Sequence, residues 1–572
     1  MKKTLGATLM SVALALGSLT IFGATSTTVP ATLPALAGLP ELPSWGRGAF
    51  QPHGANAVFA SADGCALCHS ASPNAKALWS TTGEDVSPYG LWRGTMMANA
   101  SKDPYFHAQL AREAEVNPAI AEQAQQLCIR CHAPTAYHSY RIAGETKMPT
   151  MAAAAAHPLY GDGVNCTVCH QIQPDGLGTP ATFDGQPVIK PGRTIFGPFA
   201  DPGAMPMRAF SAFTAKQGHH IQSAALCASC HTLRTEHGGG GLFPEQSPYL
   251  EWQNSVYSDE MPNAKARNAQ AKSCQECHMP DVGAMRIARN PGGGEFNIAT
   301  REPVRGHAFV GGNAFMLDLL RENATELNLT SPAEALERIA RATRAQLGHR
   351  TATVAVENAK RVKADNGGDL LEFDVVVTNL TGHKFPTGYP SRRAWVNTEV
   401  RVGRSVVFES GEPDAQGHIK NVEPASELGV PHVDVVTQPS EVPIYEMVAH
   451  DHDGKPTTLL TAMATRWKDN RLLPAGFAKE GPNAAETAPA GIGADANFVG
   501  GSDRVTYRIP LPADVQGSAV IVVRMYYQTV PPHWADALRP SNTEEAKRFV
   551  RMYDAAKSKQ ELIATAVGSV VE

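Results

Sequence analysis

The sequence predicts a molecule in two parts. The first part is a set of short α-helices and long loops around a repeated cysteine motif, and the second is an antiparallel β-sandwich of the immunoglobulin-like kind with a C-terminal helix. Three observations carry this prediction. The pattern CxxCH occurs five times between Cys65 and His278, and Gly- and Pro-rich loop segments lie between the copies. After about residue 350, β-branched alternating runs such as LLEFDVVVTNL and SAVIVVRMYY indicate strands.

The five motifs use every cysteine in the chain. The sequence has ten cysteines, and two in each copy leave none over. A histidine directly follows the second cysteine of every pair. The cysteines are Cys65, Cys68, Cys128, Cys131, Cys166, Cys169, Cys227, Cys230, Cys274 and Cys277, and the histidines are His69, His132, His170, His231 and His278.

Covalent haem attachment explains each position of this motif. A structural zinc site needs four ligands, so five cysteine pairs do not divide into four-cysteine sites, and zinc gives no reason for the histidine. A thioredoxin-like dithiol uses one CxxC on a βαβ scaffold, which the sequence lacks. In haem c attachment the two thiols add to the haem vinyl groups and the adjacent histidine becomes the proximal iron ligand. We therefore predict five covalently bound haem c groups.

Haem at this density replaces a conventional apolar core. Packed porphyrins then supply much of the buried apolar surface, so we expect only short regular elements among the motifs. Two helices are nevertheless predicted here, over Asp103–Val116 and Asn117–His132, and the second ends in the second motif. The run SPAEALERIARATRAQLGHR predicts a further helix, with Ser331 as its N-cap in a capping box.

The N-terminus predicts export. A short basic segment, MKK, precedes an apolar run from Leu5 to Ala24, and small residues follow, so we expect a signal peptide cleaved after Ala24 or Ala37. An uncleaved membrane anchor is the alternative. No second stretch reaches spanning length, which predicts a mature chain without a transmembrane segment. The expected location is periplasmic or extracellular, where haem c is attached.

These observations give four predicted segments. The signal peptide spans 1–37, the pentahaem region 38–349, the β-sandwich 350–540 and the C-terminal helix 541–572.

The second axial ligand of each iron separates electron transfer from catalysis. Two protein ligands close the iron, whereas an open position can bind a substrate. The chain has twenty histidines, five of them in the motifs, and local context selects the candidates among the others. Glycines flank His307 and His383, and His220 precedes the fourth motif by seven residues. The candidate distal ligands are His220, His307, His383, His107 and His138; Met96 and Met97 offer a thioether, although a methionine pair more often packs in a core.

Five runs resemble a known family. They are LWRGTMMANASKDPYFHAQLAREAEVNP, GVNCTVCHQI, LCASCHTL, YLEWQNSVYS with KSCQECHMP, and TGHKFPTGYPSRRAWV. Together they are similar to multihaem c-type cytochromes related to the tetrahaem electron carriers of ammonia oxidation and to hydroxylamine oxidoreductase, over about Ala49 to Trp395. The resemblance implies closely packed haems, mostly with two histidine ligands. The chain has no CxxCK, the motif of the catalytic haem in pentahaem nitrite reductases.

The predicted function is an exported pentahaem cytochrome that relays electrons between a redox donor protein and an acceptor. One alternative is an oxidoreductase in which a single open haem acts on a small nitrogen or sulfur compound. The other is a self-associating subunit of an extracellular cytochrome filament or conduit. The net charge of -5 and the absence of a basic patch argue against a nucleic-acid partner.

Overall fold

Each CxxCH motif begins on a short helical turn. In a helix, residues three apart lie on the same side, so the two thiols of a motif project together and the histidine follows about a quarter of a turn later. The first motif ends helix Ala62–His69, and the second ends helix Ala121–His132. Helix Cys274–His278 consists of the fifth motif alone and begins with a capping box between Ser273 and Glu276.

The computed structural model describes residues 56–237, 240–260, 269–365, 367–422 and 429–571, so the predicted signal peptide lies outside the described residues. The helices are α1 Ala62–His69, α2 Pro88–Trp92, α3 Pro104–Val116, α4 Ala121–His132, α5 Pro134–Ala143, α6 Met151–Ala155, α7 Cys166–Cys169, α8 Ala204–Ser211, α9 Ala224–Ala228, α10 Pro248–Gln253, α11 Cys274–His278, α12 Ala314–Glu322, α13 Ala333–Arg350, α14 Ala484–Thr487, α15 Pro532–Asp536 and α16 Glu544–Ala555. The strands are β1 Thr194–Gly197, β2 Thr214–Gln217, β3 Leu233–Glu236, β4 Leu242–Gln246, β5 Ala352–Lys363, β6 Asp369–Asn379, β7 Arg393–Val402, β8 Ser405–Ser410, β9 Val435–Val436, β10 Ile444–His450, β11 Thr465–Asp469, β12 Ser502–Pro510, β13 Ala519–Gln528 and β14 Glu561–Val570.

The motif region has few large apolar clusters of its own. One large core joins α12 and α13 to α3, α15 and α16, with Leu336, Trp534 and Phe549 buried together. The other clusters among the motifs hold only a few apolar residues each. The small size of these clusters agrees with the expectation that the motif region has no conventional apolar core of its own.

Two sheets form the C-terminal part. One follows the order β11-β10-β7-β13-β14, with β8 also on β7, and the other follows β5-β6-β12-β9. Burial alternates along β6, β12 and β13, as expected when one face of each sheet is buried. Side chains from both sheets, among them Phe373, Val400 and Ile521, share one core. The antiparallel sheets are thus confirmed, apart from the parallel pair β9 and β12, and the immunoglobulin-like relationship stays a prediction.

The predicted C-terminal helix over 541–572 is wrong in extent. The helix α16 ends at Ala555, and β14 pairs antiparallel with β13 along its length. The segment ELIATAVGSV alternates buried and exposed residues, a strand pattern that edge pairing selects over helix. The capping box at Ser331 is also wrong: α13 starts after Pro332, while Ser331 Oγ donates to Arg93 O.

A buried ion network joins the β-region to the motif region. Asp469 Oδ2 lies 2.6 Å from Lys384 Nζ, and Asp469 Oδ1 lies 2.7 Å from Arg471 Nε. Arg471 also pairs with Glu251 of α10 at 3.1 Å. Glu251 Oε2 accepts the backbone N–H of Lys384 and the hydroxyl of Thr387. The loop that carries His383 is therefore fixed to α10 by charged hydrogen bonds.

No helix within the described ranges is long and apolar enough to span a lipid bilayer.

Replacing Asp469 with Asn should destabilise the folded protein by about 3–5 kcal/mol, because Lys384 and Arg471 would lose their shared carboxylate inside the protein. Asp369→Asn is the matched control, since Asp369 pairs with Lys363 on the surface and its loss should cost no more than about 1 kcal/mol. Guanidinium unfolding of the haem-loaded protein measures both. Equal losses in the two variants would contradict the structural role of the network.

Candidate haem-binding sites

The motif cysteines are partly buried. All ten keep some solvent-accessible surface. Burial nevertheless raises the pKa of the Cys68, Cys128 and Cys169 thiols, which means that protein surrounds them. Partly accessible thiols held by surrounding protein fit the attachment points that haem c needs.

Four of the motif histidines are oriented by backbone carbonyls. His69 donates from Nδ1 to Ile287 O at 2.9 Å, and His170 donates to Phe196 O at 2.6 Å. His132 donates to Ala100 O at 3.1 Å, and His278 donates to Val310 O. A carbonyl oxygen only accepts, so the proton is on Nδ1 and the lone pair is on Nε2. This is the tautomer and ring orientation that a metal-bound histidine requires.

Burial also keeps these rings neutral. It is the main cause that lowers the pKa of all five motif histidines, to about 4 for His132 and His231. His231 nevertheless keeps a large accessible surface. A neutral imidazole is the form that binds iron.

Two predicted distal ligands face motif histidines. The rings of His170 and His307 have centroids 6.1 Å apart and planes 17° apart. For His278 and His383 the corresponding values are 6.1 Å and 14°. Two imidazoles that share one metal have centroids separated by roughly 6 Å, since each metal–nitrogen bond is about 2 Å long. Both pairs therefore have the spacing of axial ligands of a single iron.

Their hydrogen bonds agree with this spacing. His307 donates from Nδ1 to Arg305 O at 3.1 Å, and His383 donates from Nδ1 to Lys384 O at 2.8 Å. In both pairs, then, each ring has its Nε2 left for a metal. Burial lowers the pKa of His307 to about 3 and that of His383 to about 4, so both are neutral.

Glycine allows these two histidines to approach. A Cβ on Gly306 would lie 2.8 Å from the Val282 side chain and 3.2 Å from Pro280 O. A Cβ on Gly382 would lie 3.0 Å from the Trp252 ring. In the sequence, neighbouring glycines singled out His307 and His383 as candidate ligands. In the structure, these glycines are needed because a larger residue next to either histidine would not fit.

His138 is a candidate for a different reason. It is 1% exposed, and its Nε2 is buried without a hydrogen-bond partner. A buried orphan nitrogen costs free energy unless a further group satisfies it. Iron is such a group, so the environment of His138 fits a distal ligand.

His107 and His220 have other surroundings. His107 Nε2 donates to Ser101 O at 2.8 Å, next to the carbonyl that orients His132. His220 Nε2 donates to Ile172 O at 2.8 Å. Only Nδ1 of each ring is then left for a metal, which is the opposite nitrogen from that of the pairs above. Iron ligation by His107 and by His220 stays a prediction. The same holds for ligation by Met96, which packs against the large apolar core.

The motifs adjoin one another in an order that differs from the sequence. The Cys65 thiol contacts Cys166, the Cys131 thiol contacts Cys230, and the Cys227 thiol contacts Cys274. Cys169 is close enough to the fourth motif for the two to interact electrostatically. The fourth motif is therefore the junction: the second, third and fifth motifs adjoin it, and the first adjoins the third.

Outside the motifs, His432, Asp495 and Asp503 offer three metal-ligand atoms within 4.8 Å of one another. The hydrogen bonds of Asn470 decide against a metal there. Its Oδ1 accepts Glu446 N and its Nδ2 donates to Ile444 O, so this amide donates to His432 Nδ1 at 3.0 Å. The proton of His432 is then on Nε2, which donates to Asp495 at 2.8 Å. The group is a buried hydrogen-bonded pair beside Asp503.

A comparison with protein-family models agrees with the haem assignment. The family model described as cytochrome c554 and c-prime matches residues 64–171, a stretch that holds the first three motifs. No curated protein matches the chain. Among solved structures, a penta-heme cytochrome c552 from Thermochromatium tepidum matches with a TM-score of 0.49 and 15% identity, over 89% of this chain and 98% of that one.

The motifs and the family match point to one class of protein. The match over residues 64–171 and the two further CxxCH motifs at Cys227 and Cys274 support a multihaem c-type cytochrome that binds haem c covalently and transfers electrons.

Substituting His307 or His383 with Gln should convert one haem per molecule from low spin to high spin, because glutamine does not replace imidazole as a strong axial ligand. Electron paramagnetic resonance of the oxidised protein counts both states. His349→Gln is the control, since His349 is exposed on α13 and should leave the spectrum unchanged. An unchanged low-spin count in H307Q would contradict the pairing with His170.

Proposed function

We propose that the chain is an exported pentahaem cytochrome that relays single electrons between a donor and an acceptor protein. The resemblance of its sequence to cytochromes related to the tetrahaem electron carriers of ammonia oxidation and to hydroxylamine oxidoreductase supports this proposal. The observation that carries the proposal is the presence of two histidine pairs at the spacing of axial ligands. An iron with two protein ligands passes electrons and has no place for a substrate.

Each haem would be held by chain residues in defined roles. Haem c supplies reversible one-electron chemistry at its iron. The cysteines fix its edge, the motif histidine binds one face, and His307 or His383 binds the other face at the third and fifth motifs. The carbonyls of Phe196 and Val310 keep His170 and His278 in place. Because these ligands are held in place, the haem site would rearrange little when the iron gains or loses an electron.

The contacts between motif thiols favour a branched relay. Thioether sulfurs lie at the haem edge, so thiols in contact bring two haem edges together. Electrons would pass between the first and fourth motifs through the third, with branches to the second and fifth. Because the branches that meet at the fourth motif end at different motifs, a donor protein and an acceptor protein would dock at separate places.

Mass spectrometry of the mature protein should show five covalent haems on a chain that starts after Ala24 or Ala37. Electron paramagnetic resonance of the oxidised protein should then find predominantly low-spin iron. A haem count other than five would overturn the pentahaem proposal. A full set of haems with most irons high spin would overturn the relay in favour of catalysis.

One observation favours a second function, in which the haem at the second motif is open to a small nitrogen or sulfur compound. The phenol oxygens of Tyr105 and Tyr389 are buried close to each other, and their rings meet edge to face at 5.7 Å. Burial raises the pKa of the nearby Glu245 to about 7, and its charge acts on both Tyr389 and Cys128. Buried hydroxyl groups and a titratable acid beside a haem are groups that would bind an anion and supply its proton.

Azide tests this second function as a substitute for a small anionic substrate. If the haem is open, azide should change the spectrum of one haem. Tyr389→Phe should weaken its binding about tenfold, the worth of one hydrogen bond of about 1.4 kcal/mol. Tyr526→Phe, on the distant strand β13, is the control. A wild-type protein whose spectrum azide leaves unchanged would rule out this function.

A further inference from the structure

Arg289 is hydrogen-bonded to the C-terminal end of α1, the helix that carries the first motif. Its guanidinium donates from Nε to Ser70 O at 2.7 Å and from Nη1 to Leu67 O at 2.7 Å. It also donates from Nη2 to Ser70 Oγ at 2.8 Å and to Ala66 O at 3.3 Å. The backbone N–H of Arg289 adds a bond to Cys68 O at 2.9 Å. One residue thus binds most of the acceptors at the end of α1.

These acceptors need a partner because α1 ends there. The last carbonyls of a helix have no donor within the helix, and they carry the negative end of its dipole. The planar guanidinium of an arginine donates several hydrogen bonds to such carbonyls and also places a positive charge at the negative end of the dipole. The same segment supplies Ile287 O, the acceptor that orients His69. Residues 287–289 therefore fix the second thioether position and the proximal histidine together.

The arginine brings a charge as well as hydrogen bonds. Its partners are carbonyl and hydroxyl oxygens, and among the described residues no carboxylate pairs with it. The guanidinium donates to Leu67 O at 2.7 Å and the backbone N–H of Arg289 donates to Cys68 O at 2.9 Å, so the charge lies within one turn of Cys68 and His69. It is thus close to the groups that would flank the first haem. A nearby positive charge stabilises ferrous over ferric iron.

We propose that Arg289 is a positioning residue that clamps the end of α1 and places an uncompensated positive charge beside His69, which raises the reduction potential of the haem at the first motif. The proposal rests on the proposed function, in that it requires haem c at this motif. It assigns a potential-setting role to a residue outside the CxxCH pattern.

The test is an optical redox titration of the haem-loaded protein with Arg289→Gln and Arg289→Lys. In R289Q the midpoint potential of one one-electron component should fall by at least 59 mV. This shift corresponds to a tenfold change in the reduced-to-oxidised ratio of that haem. R289K keeps the charge and should restore most of that shift. The control is Arg286→Gln, three residues away, because Arg286 is half exposed and already paired with Glu295 at 3.3 Å.

Each outcome decides the proposal. A shift in R289Q that R289K reverses and R286Q lacks supports it. Unchanged components in an R289Q protein with five haems overturn it, and so does an R289K shift as large as that of R289Q, because charge would then not be the cause. If R289Q loses the first haem, R289K decides alone, by keeping or losing the wild-type potential. A wild-type protein without haem on Cys65 and Cys68 would instead refute the proposed function.

Discussion

The hydrogen bond from Nδ1 of a motif histidine to a backbone carbonyl is the interaction on which the rest of this structure depends. It selects the tautomer, turns the ring and leaves Nε2 for iron. In the four cases described, the acceptor lies 26 to 218 residues away in sequence. The motif binds the haem covalently by itself, but a distant loop decides how its histidine is presented. The acceptors belong to different kinds of element: Ala100 begins a short helical turn, Phe196 lies in β1, and Ile287 and Val310 lie in loops.

The same requirement explains how the β-region takes part in a site that has none of its cysteines. His383 belongs to the loop before β7, and it lies opposite His278 of the fifth motif. Such a ligand is useful only if its loop keeps its place relative to α10. The buried charges of Lys384, Asp469, Arg471 and Glu251 achieve this, although burying them costs desolvation. The network is therefore better explained by precise positioning than by net stability.

The sequence was sufficient for the motif residues, for α3 and α4, and for most strands, because each is a local pattern of spacing or periodicity. It also selected His307 and His383, through the glycines beside them. It did not reveal Arg289 or the carbonyls that orient the histidines, since these contacts join residues far apart in sequence and carry no local signal. The predicted helix over 541–572 failed for a related reason: the apolar residues of Glu561–Val570 fit either element, and only pairing with β13 makes the segment a strand.

Charged side chains of both signs lie around the first and the second motif. Arg289 is positive beside the first motif, where Asp63 and Asp162 act on Cys65. Glu113 and Glu245 act on Cys128 of the second motif, where Arg130 opposes them. A positive neighbour raises a haem potential and a negative neighbour lowers it, so the balance of these charges would set the difference in potential between the two haems. Because burial raises the pKa of Glu245 to about 7, its protonation below that pH would remove part of the negative charge at the second motif and raise the potential there. The direction of transfer would thus be set by side chains around the haems, while the ligands themselves stay alike.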